Sequence, residues 1–492
     1  MAGALGVAAI VQAALAWKGS FDIDEWQHLH ASWLIGLGRL PYRDFFEHHM
    51  PGLWYLLAPS MAWAQPELDP GRAVAFLHGV RLSFLAVWAA TLFLTWRLAR
   101  AHAASGRAVS VATVLLAFTP MFVDKVGEVR PDGIAVCLVL LAWIALIGGI
   151  RERAVSRFLA AGLLLGASAC FTQKALMAVP AVLVCLALHA WDGGAARVRS
   201  GVVLGIGLLL PVLAILALFA SAGSTATFVE SNLWLNLRWV RVVPRLFAFW
   251  TFARESPFLL VAGMAGFAMA LRSLRDREAR ARGRYVVPLA LAGFSAVMLV
   301  SPAPWPQYLL NHMPLLAILG AEAVVRGAER WARRPEWAWA AVLALGVLPG
   351  LVVTLTTSRS NAEQLRGVRY VQTITRPADT VLDGATGYGV FRPNAFFYAH
   401  VNWDIRGMIP GDRRAELEDG LASGRIAPEV VLLDDEIAYM SRKVTEYVRT
   451  NYRPGGMPDV WLRTPRAKEP RPSRRAPCRE RTSRRPSSRR RR

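Results

Sequence analysis

The chain has 492 residues, 54% hydrophobic and 19% charged, with 18 Trp and a formal charge of +22. With a positive mean hydropathy as well, this composition excludes an ordinary soluble enzyme and indicates an all-α polytopic membrane protein. The four cysteines have no metal-like spacing, with Cys137, Cys170 and Cys185 inside apolar runs and Cys478 near the end, so they support neither a disulfide framework nor a zinc site.

Apolar segments at 2–17, 73–96, 108–123, 133–150, 158–172, 175–191, 201–221, 256–271, 285–301, 308–325 and 336–357 predict about eleven transmembrane helices. Each comes near the ~20 residues that a span needs. Connectors 97–107, 151–157, 192–199, 272–284 and 326–334 hold 18 Arg in 48 positions. By the positive-inside rule these are cytoplasmic, which places the alternate loops and everything after Thr357 outside.

The first outer loop, residues 21–55, packs five carboxylates (Asp22, Asp24, Glu25, Asp44, Glu47) and four of nine histidines into one stretch. A helix over 24–38 would put Trp26, Leu29, Trp33 and Leu37 on one apolar stripe suited to a membrane surface. Asp24 and His28 would share another face, with Glu25 beside them. PYRDFFEHHMP then returns Glu47, His48 and His49 toward that helix. For Asp24 the bland reading is a helix N-cap.

The second outer connector, VDKVGEVRPDG, carries Glu128 and Arg130 and opens the fourth span on Asp132. An ionisable residue at the mouth of a span is a site candidate, since burying it unpaired is costly. FTQKALMAVP sets Lys174 at the same boundary, where a lone lysine often only snorkels. In the outer connector 221–254, Arg238 and Arg241 alternate with tryptophans, which suits gripping a lipid-borne phosphate and is equally ordinary interface chemistry. SPAPWPQYLLNHMP places Gln307, Tyr308 and His312 at the top of the tenth span.

After Thr357 the pattern changes. Residues 361–376, 412–422 and 437–451 read as helices, and DTVLDGAT and PEVVLLDD as short buried strands. Three parts result: 1–357 the membrane catalytic domain, 358–462 a small extracytoplasmic α/β domain, and 463–492 a disordered Arg-rich tail. From Arg463 onward 14 basic residues face 2 acidic ones. Because parity puts this tail outside the cytoplasm, anionic lipid or polymer contact is expected of it and nucleic acid is not.

Taken together, these features resemble the GT-C superfamily of polyprenyl-phosphate-dependent glycosyltransferases. The bacterial branch of lipid A aminoarabinose transferases, protein O-mannosyltransferases and RgtA/B/C/D-like proteins is the most similar. Asp24-Glu25 stands at that superfamily's first acidic motif, FFEHHMPGLWY resembles its "FEKP…YW" pattern, and VRPDGIAVCLVLLA resembles its second acidic motif. TQKA resembles a "TKG" turn and WPQYLLNHMPLLAILGA a late "HY…P" span. His48-His49 stands where the aminoarabinose enzymes carry Lys, and Gln307 where they carry His.

The resemblance implies inverting transfer of a sugar from a polyprenyl monophosphate to an extracytoplasmic hydroxyl at a bacterial inner membrane. Asp24 is then the base, with Glu25 or Asp132 orienting hydroxyls. Lys174, Arg130, Arg238 and Arg241 would hold the leaving phosphate. His28, Glu47, His48, His49, Glu128, Gln307, Tyr308 and His312 would shape the substrate pocket. No cofactor is expected, a divalent metal on the histidines being the open alternative. The rival readings are a transporter or flippase, a non-catalytic scaffold, and an enzyme using a diphosphate-linked glycan.

Overall fold

The computed structural model describes residues 1–464 apart from 192–194, 240–242, 303, 333, 335 and 399–402. Arg241 and the Arg-rich tail from residue 465 onward therefore lie outside the described residues, while Arg463, expected to open that tail, ends a strand.

Within a bilayer a chain must satisfy its own peptide groups, and for a single segment that means an α-helix. All eleven expected spans are helical. The first ten helices are α1 (Ala2–Lys18), α2 (Ile23–Gly36), α3 (Gly52–Ala64), α4 (Pro70–Ala101), α5 (Gly106–Ala117), α6 (Pro120–Gly127), α7 (Pro131–Glu152), α8 (Val155–Phe171), α9 (Val179–Trp191) and α10 (Ala195–Ser221). Among the described residues six helices are long and apolar enough to cross a membrane, and α5 with α6 makes a seventh across a 67° bend. Four shorter apolar helices, α1, α8, Pro257–Arg272 and Val286–Val300, coincide with the remaining segments. The protein is a multi-pass membrane chain.

Two prolines place the charged connector. Pro120 cannot continue the hydrogen bonding of α5, and Thr119 before it is extended at ψ 116°, so the span breaks and α6 turns aside. Pro131 opens α7 and holds Arg130 extended at φ −133°, which aims the guanidinium back along the connector. Close helix packing depends on small residues: a Cβ on Gly162 of α8 would stand 2.1 Å from Leu204 O of α10.

Helix α2 forms as expected, with Asp22 as N-cap and Glu25 closing a capping box. Its apolar stripe does not lie on a membrane surface. Trp26, Leu29 and Trp33 are all about 1% exposed or less and only Leu37 is exposed, because the C-terminal region covers them. Gly387 sits so close to Trp26 that a Cβ would approach it to 2.3 Å, and Val368, Val390 and Phe391 join the same core.

That region is a four-stranded sheet in the order β1-β2-β4-β3, with β1 (Val381–Asp383), β2 (Val430–Leu432), β3 (Tyr452–Pro454) and β4 (Val460–Arg463). β1 and β2 are parallel, Val381 opposite Val430, and β4 runs antiparallel to both β2 and β3. Ala362–Ile374 and Gly411–Ser423 are helical. The single helix expected over 437–451 is two, Asp435–Met440 and Arg442–Asn451, because Ser441 is extended (φ −153°) and its hydroxyl caps the second.

The region is stitched to the first loop by backbone bonds. Ser20 N–H donates to Arg359 O at 2.7 Å and Asn361 N–H to Lys18 O at 2.9 Å. The Gln364 amide pairs with both backbone groups of Phe21, accepting at 2.7 Å and donating at 2.9 Å.

Asp383, at the end of β1, accepts from Thr386 Oγ1 at 2.9 Å and Gly389 N at 3.1 Å. Burial, reinforced by Asp434, raises its pKa to about 7. An acid whose folded pKa lies above its unfolded value, about 3.9, contributes stability below that value and loses it as pH rises through 7. Hydrogen exchange at Val381–Asp383 is expected to be slower at pH 5 than at pH 8, after correction for the intrinsic rate, and Asp383→Asn is expected to flatten that dependence.

Candidate active site

The start of α2, the α6–α7 connector and the start of the Gln173–Trp191 helix meet at the boundary of the bundle. Arg130 is the hub, 2% exposed. It pairs with Asp24, with Asp22 at 3.2 Å, with Glu128 at 3.4 Å and with Asp132 at 3.5 Å. Burial works against its charge, yet the four carboxylates together raise its pKa. Lys174 Nζ stands 2.8 Å from Asp132 Oδ1 and 4.5 Å from the centre of the Tyr308 ring. Lys125 completes the network, 2.6 Å from Glu128 and 3.3 Å from Asp22.

A cavity of about 660 Å³ opens on this network. Asp24, His48, His49, Arg130, Lys174, Gln307 and Tyr308 all line it, so seven expected residues meet in one place. Its far wall is apolar, with Met177, Val297, Val300, Trp239 and Trp305. Val300 is 74% exposed, so that wall continues to the outer surface of the bundle.

The other expected residues lie elsewhere. Glu25 faces away from the cavity, fully buried against Arg81, whose Nε is 2.9 Å from Oε1, and accepting from Val129 N–H at 2.9 Å. Asp132 lies behind the Lys174 and Arg130 side chains. His28 accepts from Trp54 Nε1 at 3.0 Å and touches His49 edge-on at 4.8 Å. Arg238 is an exposed partner of Glu230 at 3.2 Å. His312 packs between Phe249 and Phe294. Glu128 belongs to the network but not to the cavity wall.

Sequence reasoning missed Asp22, Lys125, Gln173 and Asn236 as wall residues, and Arg81 as the counter-ion of Glu25. Arg81 had a signal: a guanidinium inside an apolar segment needs a carboxylate. Gln173 and Asn236 had none, since they act by donating to His48 O at 3.1 and 3.0 Å.

Glu47, His48 and His49 place one donor atom each within 4.8 Å of one another. Burial lowers the pKa of both imidazoles, leaving them neutral with lone pairs available, and neither Nδ1 has a hydrogen-bond partner among the described residues. Two imidazoles and a carboxylate fit the donor set of a zinc-like cation.

The chain shares its fold with solved structures of ArnT and of an archaeal oligosaccharyltransferase. ArnT from Cupriavidus metallidurans, solved bound to undecaprenyl phosphate, superposes with a TM-score of 0.59 over 89% of this chain and 93% of its own, at 12% identity. The Archaeoglobus fulgidus oligosaccharyltransferase AglB, in complex with an inhibitory peptide and a dolichol-phosphate, gives 0.57 over 91% of this chain and 70% of its own, also at 12% identity. A further structure of the A. fulgidus oligosaccharyltransferase, with Zn and sulfate, gives 0.52 at 14% identity over 79% of this chain, which spans 60% of that protein's length. No protein-family model and no curated protein sequence matches the chain.

Removing one member of a buried ion pair strands the other, at about 3–5 kcal/mol. Arg81→Met is therefore expected to lower the unfolding midpoint in detergent markedly, while Arg238→Met on the surface leaves it unchanged within error.

Proposed function

We propose that the chain is an integral-membrane glycosyltransferase that moves a sugar from a polyprenyl monophosphate to an acceptor hydroxyl, with inversion at the anomeric carbon. The observation that carries this reading is the convergence of Asp24, Arg130 and Lys174 on one cavity whose far wall is greasy, with Asp132 behind the two cations. A carboxylate base and cations for a phosphate stand side by side, and the apolar wall with exposed Val300 gives a prenyl chain a route from the bilayer.

The acceptor oxygen bonds to the anomeric carbon as the bond from that carbon to the phosphate oxygen breaks. Its electron pair goes to the phosphate, and the hydroxyl proton goes to Asp24. Charge grows on the leaving phosphate, where Lys174 and Arg130 are already in place and need no reorganisation. Asp132 holds Lys174 against Tyr308 and so positions it. Glu25 belongs to the scaffold, fixing the start of α2 through Arg81. Gln307 and Tyr308 contact the sugar, and Trp239, tilted against His48 with ring centres 5.1 Å apart, gives a pyranose an apolar face. A divalent cation bound by Glu47, His48 and His49 would add positive charge beside the phosphate.

By the arginine distribution the cavity and the α/β region over 358–462 face away from the cytoplasm of a bacterial inner membrane. The acceptor is a lipid, glycan or protein of the cell envelope. A flippase reading has less support, since its ionisable groups belong near the bilayer midplane.

Loss of a general base costs about 10²–10⁴-fold in rate. With membranes holding wild type or Asp24→Asn and a panel of radiolabelled polyprenyl-phosphate sugars, the wild type is expected to transfer one label and the variant to fall by that factor with its unfolding midpoint kept. Undiminished transfer by Asp24→Asn would remove it as the base. Lys174→Met is expected to weaken donor retention as well as rate.

A further inference from the structure

On the other side of Lys125 lies a second cavity of about 300 Å³. It is bounded by the end of α1, by α6, by the Phe247–Glu255 helix and by the last turns of Leu348–Thr357. Lys125 and Pro306 line both cavities. The Lys125 ammonium forms the partition, bonded on one side to Asp22 of the first cavity and on the other to Glu128 of the second.

Two buried polar atoms on this cavity's walls are left over. Gln12 is 2% exposed and Thr354 7% exposed, and neither Gln12 Oε1 nor Thr354 Oγ1 has a hydrogen-bond partner among the described residues. A buried acceptor with no donor costs about 1–3 kcal/mol, so these positions call for a ligand that brings hydroxyls. Ser20 and Glu255 add further polar groups, Thr251 and Thr357 add acceptors, their hydroxyl protons being given to Phe247 O and Val353 O, and Leu15, Met121 and Val353 form an apolar floor. A sugar ring offers that combination, since each hydroxyl both donates and accepts and the ring face is apolar. In the interior Arg81 is held by Glu25 and Lys125 by three carboxylates, so among the described residues lining the cavity an anion would meet an unpaired cation only in Arg359, at the mouth. The mouth runs past Thr357, Ser358 and Arg359, all exposed.

We propose that this second cavity binds the acceptor and that the acceptor is a carbohydrate, one hydroxyl of which reaches Asp24 when Lys125 swings out of the partition. The proposal rests on the glycosyltransferase reading: donor in the large greasy cavity, acceptor in the small polar one, and the hydroxyl proton leaving to Asp24 as the new glycosidic bond forms and the bond to phosphate breaks.

The test uses full-length protein in proteoliposomes, the radiolabelled undecaprenyl-phosphate sugar that wild type turns over, and a glycolipid extract of the producing cells as acceptor pool. Thr354→Trp fills the cavity and Ser358→Trp plugs its mouth from an exposed position that leaves folding intact. Both are expected to cut label transfer tenfold or more while donor retention on filters stays at the wild-type level. Transfer at the wild-type rate in Ser358→Trp and in folded Thr354→Trp overturns the acceptor cavity and leaves the proposed reaction standing. Loss of donor retention in Ser358→Trp overturns it too, by making the cavity part of the donor site. Absence of transfer by wild type with every donor overturns the glycosyltransferase reading itself.

Discussion

The structure depends on neutralising carboxylates at the edge of a bilayer. Asp22, Asp24, Glu128 and Asp132 come from two loops far apart in sequence, and all four contact Arg130. At about 4 Å an opposite charge is worth roughly 4 kcal/mol at an effective dielectric near 20, enough to draw α2 and the α6–α7 connector together. Without Arg130 the acids would repel one another and the cavity would lose a wall. The same guanidinium that assembles the network also lines the cavity, so one residue both holds the loops together and sets the charge of the wall.

The helices of the membrane part were legible because bilayer solvation leaves an apolar run few alternatives. The segment over 108–123 shows the limit: its composition is continuous, but Thr119-Pro120 divides it, and the division puts Lys125 where it is needed. The apolar stripe of α2 was read correctly as amphipathic and assigned to the wrong surface. Nothing in Trp26 or Trp33 distinguishes a lipid neighbour from Gly387 or Phe391, 360 residues and more away from Trp26.

The site was legible in part. Asp24, Arg130, Asp132 and Lys174 stood out because charge beside an apolar segment must be answered by charge. Glu25 was indistinguishable from Asp24 in sequence, and only the turn of the helix sends one carboxyl to the cavity and the other to Arg81. Gln12 escaped notice as one polar residue in the first apolar segment, although a lone amide there is as anomalous as the acids. The β3-β4 pair escaped as well, since YRPGGMPDVWLR carries two Pro and two Gly that mask the alternation.

The antiparallel bridge between Gly19 and Ser360, with Gln364 gripping Phe21, joins the exit of the first membrane helix to the exit of the last. The helical bundle is thereby closed into a ring, as a strap with its two ends buckled, and the buckle sits one residue from the turn that presents Asp22 and Asp24. A displacement of Ser358–Ser360 would therefore be passed along that buckle to Asp22 and Asp24, so the far end of the chain has mechanical hold on the first acidic turn.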